Sequence, residues 1–97
     1  MDEEKNYEKI IENEINLIVG KNLRLQRKKL KLSTAEVAFR ANISRAYLGR
    51  IERGEVTASH HIILKITIVL DLDMNTAFKG THPKIKPYLN FQLDTHL

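Results

Sequence analysis

The sequence contains no cysteine and only two prolines among its 97 residues. Without cysteine, neither a disulfide framework nor a thiolate metal site can form. The longest uninterrupted aliphatic runs are three residues long, as in Ile62–Leu64. A membrane-spanning helix needs roughly 20 predominantly apolar residues, so no membrane span is expected.

Signals for secretion and for catalysis are also missing. Residues 1–14 are acidic and lack the long apolar run of a secretory signal, which favours a cytoplasmic location. No nucleophile is arranged with a base, and no glycine-rich phosphate loop occurs, so the chain is not expected to be an enzyme. His60 and His61 are adjacent, and neighbouring residues on a helix do not face the same way. No metal and no other cofactor is therefore predicted.

The composition is that of one globular domain with an uneven charge. Hydrophobic residues make up 42% and charged residues 29% of the chain, which is not a disordered composition. The net charge of +4 divides into −4 for residues 1–14, +7 for residues 15–80 and +1 for residues 81–97. A basic region is typical of proteins that bind nucleic acid or anionic surfaces, although charge alone does not separate this from an ordinary solvated surface.

Helical spacing dominates the first third of the chain. Apolar residues at positions 7, 10, 11, 15, 17 and 18 predict an N-terminal helix, and a second helical segment follows over residues 21–30. Gly20 either interrupts the two segments or loosens their connection. We divide the chain into an acidic helical extension (1–18), a central domain (19–80) and a C-terminal tail (81–97).

Two short helices joined by a tight turn are predicted next. Ser33 followed by Glu36 is a capping-box pattern, and it opens a helix from Thr34 to about Ala41. Asn42 tolerates the left-handed geometry of a helix end. Ser44 is a second N-cap candidate, and the helix that it opens ends at Gly54.

The rest of the chain gives mixed signals. Residues 60–72 are rich in β-branched side chains, which favours a strand, but they also fit helical spacing, and the preceding helix pair makes a helix the preferred interpretation. Asp73 is a candidate cap for a last short helix from Met74 to Lys79. The tail fits a strand by alternation at residues 89, 91 and 93, or a helix by the spacing of residues 89, 93 and 97, and both alternatives stay open.

The second short helix has one charged face. On a helical wheel Arg45, Ala46, Gly49, Arg50 and Arg53 fall within a sector of about 140°, and Leu48 and Ile51 lie on the other side. The face thus presents three arginines around two very small residues. The major groove of DNA admits one helix, and arginine can bond both acceptors of guanine there.

Residues 19–80 resemble the DNA-binding domain of the Cro/repressor-type (XRE) family. The matching stretches are VGKNLRLQRKKLKLS, TAEVAFRANIS, RAYLGRIERG and the region through LDLDMNTAFKG. The resemblance implies an all-α, five-helix, lambda-repressor-like bundle, here with an N-terminal helical extension and a tail of undecided structure. It also implies a sequence-specific regulator of transcription that binds double-stranded DNA, usually as a dimer, with residues 45–53 as the recognition helix.

The same resemblance assigns roles to individual residues. It implies that bases are contacted by Arg45, Ala46 and Arg50. It implies phosphate contacts for Ser33, Thr34, Arg53 and Thr57. Tyr47, at the edge of the arginine sector, is a further candidate for a phosphate contact, and packing against the core fits it equally well. Arg27 and Glu52 match a structural salt bridge of the family. The chain departs from the family pattern at Thr34, where glutamine is usual, at Ala58, where proline is common, and at Asp71, where glycine is common.

The position of one apolar pair, Leu64 and Ile68, is not explained by DNA binding. Leu64 and Ile68 fall opposite the core face of their helix, and exposed aliphatic side chains at this spacing call for a cover. The candidates are the leader helix, the apolar tail with Phe91 and Leu93, or a second subunit. We favour a homodimer interface or docking of these extensions at this pair, and the functional prediction is a homodimer on a partly palindromic operator. The alternative is an antitoxin or other protein-interaction module whose termini bind a partner protein.

Overall fold

The computed structural model describes the backbone of residues 2–96 and the side chains of residues 7–89. Within these limits the chain forms six α-helices and no strand. They are α1 (Asp2–Lys29), α2 (Thr34–Ala41), α3 (Arg45–Glu52), α4 (His60–Val69), α5 (Met74–Ala77) and α6 (Thr81–His96). The all-α class predicted from the sequence is confirmed. No helix of the described part is long and apolar enough to cross a membrane.

Helix α1 is continuous, so Gly20 does not interrupt it. Both predicted segments belong to one helix of 28 residues, and the position proposed as a domain boundary lies inside it. Val19, Gly20 and Leu23 are all buried, because this part of α1 packs against α3. A glycine inside a helix costs about 1 kcal/mol of stability relative to alanine. Packing of α1 against α3 offsets this cost.

The turn between α2 and α3 has the predicted caps. The Ser33 hydroxyl accepts a hydrogen bond from the Glu36 backbone N–H, and the Glu36 carboxylate accepts one from the Ser33 N–H. Asn42 ends α2 with a φ of 56°, and the Ser44 hydroxyl then caps α3. The caps define where each helix begins and ends, and α2 packs directly against α3.

The core lies where α1 to α5 meet. Helix α2 packs against α3 and α4, while α1 packs against α3, α5 and α6. The largest fully buried apolar side chains come from four different helices and the turn after α4, so all of these elements depend on one another. The buried apolar residues are Val19, Leu23, Val37, Ala38, Ala41, Leu48, Ile51, Ile63, Ile66, Leu70 and Ala77.

Residues 60–69 are helical despite their β-branched content, as we predicted. Ile63 and Ile66 are buried in the core, and burial of this face outweighs the local preference for a strand. Asp73 caps α5 as expected, but α5 ends at Ala77 rather than at Lys79. Asp71, in the turn before α5, has a φ of 51°. That conformation suits glycine best, which accounts for the glycine common at this position in the family.

The C-terminal tail forms helix α6 and packs against α1. Lys84 Nζ lies 3.8 Å from Glu14 Oε2, and the rings of Tyr88 and Tyr7 are 5.7 Å apart. As residue numbers rise along α6 their partners fall along α1, so the two helices run antiparallel. Of the alternatives left open by the sequence, the helix is correct. Phe91 and Leu93 lie outside the residues whose side chains are described.

Candidate nucleic-acid interface

The outward face of α3 is built by the burial of its opposite face. Leu48 and Ile51 are almost completely buried in the core. This fixes the rotation of the helix, and Arg45, Ala46 and Arg50 are consequently exposed. The three positions predicted to contact bases therefore lie side by side on one accessible surface.

A groove runs beside this face and joins three elements. It lies between α3, the start of α2 and the C-terminal part of α1. Five arginines and one glutamate line it, so its charge is strongly positive and suited to anions. The lining residues are Arg24, Arg27, Thr34, Arg45, Ala46, Gly49, Arg50, Glu52 and Arg53.

Arg24 is a groove residue that was not predicted from the sequence. Its side chain is exposed, and it lines the groove together with Arg45 and Arg50 of α3. The signal was available, because Arg24 precedes Arg27 by three residues and such residues share a helix face. Since Arg27 was expected next to α3 through Glu52, Arg24 could have been expected there as well.

Arg27 and Glu52 join α1 to α3 through a double hydrogen bond. Arg27 Nε lies 2.8 Å from Glu52 Oε2, and Arg27 Nη2 lies 2.9 Å from Glu52 Oε1. Arg27 Nη1 also donates to the Leu32 carbonyl at 3.0 Å. The hydrogen bond to Glu52 raises the pKa of the Arg27 guanidinium. Because each charge neutralises the other, the positive charge of the groove comes mainly from Arg24, Arg45 and Arg50.

Arg53 is held by an acid at the end of α3. Arg53 Nε donates to Glu55 Oε2 at 2.6 Å, and this hydrogen bond raises the pKa of the arginine and lowers the pKa of Glu55. The guanidinium also lies against Gly49, since a Cβ atom added to Gly49 would be 3.1 Å from Arg53 Nη1. Arg53 thus covers the part of the α3 surface where Gly49 has no side chain.

The start of α2 contributes a hydrogen-bonding edge to the groove. Thr34 lines it, and Ser33 next to it is exposed. A helix N-terminus favours anions because its first N–H groups lack partners within the helix. Ser33 and Thr34, two of the residues predicted to contact phosphate, therefore lie at a helix end that favours anions.

Thr57 and Tyr47 are less available for phosphate contacts. The Thr57 hydroxyl donates to Glu12 Oε2 at 2.7 Å and accepts from Asn16 Nδ2 at 2.7 Å. The hydrogen bond from Thr57 lowers the pKa of the Glu12 carboxyl, so a negative charge lies beside the threonine. Thr57 is not among the groove residues. Tyr47 is half-buried and packs against the core, in line with the packing alternative.

Leu64 and Ile68 form an exposed apolar pair on α4. Leu64 is 43% exposed and Ile68 is 69% exposed. Helix α6 packs against α1, and the described part of the chain leaves this pair uncovered. We call Leu64 and Ile68 the α4 patch.

The capped helix pair and the arginine-lined groove define a DNA-binding domain of the helix-turn-helix class. The helix-turn-helix family profile matches residues 23–76, more than half of the chain. The chain belongs to this family, and its XRE-type assignment from the sequence is confirmed. It is a DNA-binding transcription regulator.

One solved structure is similar over most of its own length. It is the restriction-modification controller protein C.AhdI from Aeromonas hydrophila, with 34% sequence identity and a TM-score of 0.62. The match covers 64% of this chain and 94% of that protein. No curated protein sequence matches this chain.

Proposed function

We propose that this protein binds a partly palindromic operator as a homodimer and reads its sequence with α3 in the major groove. Arg45, Ala46 and Arg50 contact base edges in this proposal. The observation that supports it best is that burial of Leu48 and Ile51 leaves these three residues exposed together beside a positively charged groove.

Phosphate contacts in this proposal come from two sides of the groove. Ser33 and Thr34 offer the N-terminus of α2, and Arg24 of α1 adds a charge that was not predicted from the sequence. Arginine and helix N-termini are common phosphate ligands, and such contacts fix the register of a protein on the duplex. Thr57 is left out of this set because its hydroxyl is bound to Glu12.

Control of a restriction–modification system is the particular role that we propose. The support is the 34% identity to a controller protein over 94% of that protein's length. Mapping the sites that this protein binds in its own genome tests the role. Binding upstream of restriction and modification genes is expected, and binding only at unrelated promoters would contradict it.

Selection of bound sites from random duplexes tests the DNA-reading function. Wild-type protein should enrich a partly palindromic sequence, and its affinity should fall steeply with salt because counterions are released from the duplex. Arg45→Ala should weaken operator binding by about 1–3 kcal/mol and relax the preference at one base position. Arg40→Ala is the matched control, since Arg40 is exposed on α2 but does not line the groove. Equal weakening on every duplex would remove Arg45 from base reading.

A protein partner is a second candidate, which one observation favours. The N-terminal part of α1 and helix α6 pack together outside the family match at residues 23–76. We name residues 2–18 and α6 the α1–α6 arm. It exposes Tyr7, Leu17 and Leu89. If the arm binds a partner, that protein should co-purify with the full chain and be lost when residues 81–97 are deleted, while DNA binding persists.

A further inference from the structure

An acidic residue stands next to the arginine face of α3. Glu55 accepts from Arg53 Nε at 2.6 Å and from Arg53 Nη2 at 3.4 Å. A carboxylate near a DNA-binding face repels phosphates, so Glu55 opposes general affinity for nucleic acid. The pairing of Glu55 with Arg53 suggests that Glu55 acts on DNA binding through the orientation of this arginine.

Gly49 provides the space in which the paired arginine lies. Side chains on a helix lean towards its N-terminus, and residues four apart are neighbours on the surface. Arg53 therefore folds back over Gly49, where an added Cβ atom would lie 3.1 Å from Arg53 Nη1. The guanidinium is placed within the outward face of α3, beside Arg45 and Arg50, all of which line the groove.

We propose that Gly49 and Glu55 together position the Arg53 guanidinium so that Arg53 reads a base pair alongside Arg45 and Arg50. Glu55 is then a positioning residue and a determinant of DNA specificity. The proposal rests on the proposed function, and it gives Arg53 a base contact in place of the phosphate contact that the family resemblance implies.

The hydrogen-bonding capacity of Arg53 supports a base contact. Glu55 takes the edge of the guanidinium formed by Nε and Nη2. Because the guanidinium has five N–H donors in a fixed plane, the adjacent edge keeps one N–H from Nη1 and the second N–H of Nη2 for another acceptor pair. Guanine presents such a pair, O6 and N7, in the major groove.

Fixing the side chain also favours discrimination over general affinity. A free arginine loses considerable rotamer freedom when it is ordered, and it can turn to whichever phosphate is near. An arginine already oriented by Glu55 loses less freedom on binding a base, and part of its charge is offset. Glu55 is thus expected to lower binding to random duplexes while it sharpens the preference at one base pair.

A double-mutant cycle tests this role on the full chain. Wild type, Glu55→Gln, Arg53→Ala and the double variant are titrated with the selected operator, its single base-pair variants and a random duplex. One base pair should be preferred by about 5- to 100-fold in wild type. Glu55→Gln should reduce that preference several-fold without weakening random-duplex binding, and it should not change the base preferences further when Arg53 is already alanine.

Two further variants separate positioning from charge and from folding. Glu8→Gln removes one negative charge from the exposed side of α1 and should leave all base preferences unchanged. Gly49→Ala should fold at least as stably as wild type, since alanine favours helices, yet it should reduce the same base preference as Glu55→Gln by displacing the guanidinium.

The outcomes distinguish this proposal from the function on which it rests. Wild type that shows no sequence preference overturns both. Wild type that is specific, with Glu55→Gln changing affinity for every duplex by one factor, overturns the role of Glu55 alone. That role is also overturned if the effect of Glu55→Gln on base preference persists in the Arg53→Ala background.

Discussion

Gly20 and Gly49 both lie inside helices, but their surroundings differ in how much room they leave for a side chain. Gly20 of α1 faces the end of α3, where an added Cβ atom would clash with the backbone carbonyl of Ile51 and lie 2.6 Å from that of Glu52. Gly49 of α3 faces only the flexible end of Arg53. Backbone atoms in a packed core cannot move aside cheaply, whereas the end of an exposed side chain can.

Gly20→Ala is therefore expected to destabilise the protein by about 1–3 kcal/mol, the usual cost of overpacking. The loss should appear although alanine favours the helix by about 1 kcal/mol. Urea denaturation followed by circular dichroism measures it. Gly49→Ala is the matched control and should keep or raise the free energy of unfolding. A Gly20→Ala protein as stable as wild type would mean that α1 and α3 are not this close.

Neighbouring helices are aligned by pairs of side chains that bridge them. The Arg27 and Glu52 side chains are 11% and 6% exposed, so their charges are largely withdrawn from water. Their double hydrogen bond fixes α1 against α3, and it thereby fixes Arg24 relative to Arg45 and Arg50. The groove depends on this link as much as on the arginines themselves.

Glu52→Ala should destabilise the fold by about 1–3 kcal/mol, because it leaves the part-buried Arg27 guanidinium without its partner charge. The double variant Arg27→Met with Glu52→Leu should be less destabilised than Glu52→Ala, since no unpaired charge remains. Thermal and urea unfolding of the three proteins give the comparison. A double variant no more stable than Glu52→Ala would argue that packing of the side-chain stems, not charge pairing, dominates this contact.

Prediction from sequence succeeded for helices whose ends are marked by capping residues. Ser33, Asn42 and Ser44 define α2 and α3 through caps that act over three or four residues, and these boundaries are confirmed. The tail has no comparable signal, and Pro87 lies within α6, where proline removes a backbone hydrogen bond. Its helix is decided by packing against α1, which a local pattern does not contain.

At the scale of the whole molecule, the α4 patch and the α1–α6 arm are two features that DNA binding by the helix-turn-helix unit does not explain. The arm accounts for the leader and the tail, which pack on each other rather than over α4. Of the covers considered for Leu64 and Ile68, a second copy of the chain is the one that we propose. It would place two recognition helices about 34 Å apart, one turn of DNA.

Ile68→Lys should convert the proposed dimer into a monomer, because a charge in an apolar interface must be desolvated. Operator affinity should fall on the order of 100-fold when the second half-site no longer binds in the same complex. Sedimentation and titration with the operator measure the two effects. Leu25→Lys is the control, since Leu25 is 56% exposed on α1. Equal masses for wild type and Ile68→Lys would place the interface elsewhere.

The sequence by itself determined the helix pair, its caps and the outward face of α3, because each follows from spacing within one or two turns. Only the tertiary structure decided that α1 continues through Gly20, that Arg24 joins the groove and that the Thr57 hydroxyl is bound to Glu12. The position of Arg53 over Gly49 was also decided there. These features depend on packing and hydrogen bonds between residues that are far apart in the sequence, and helical periodicity describes only residues that are close together in it.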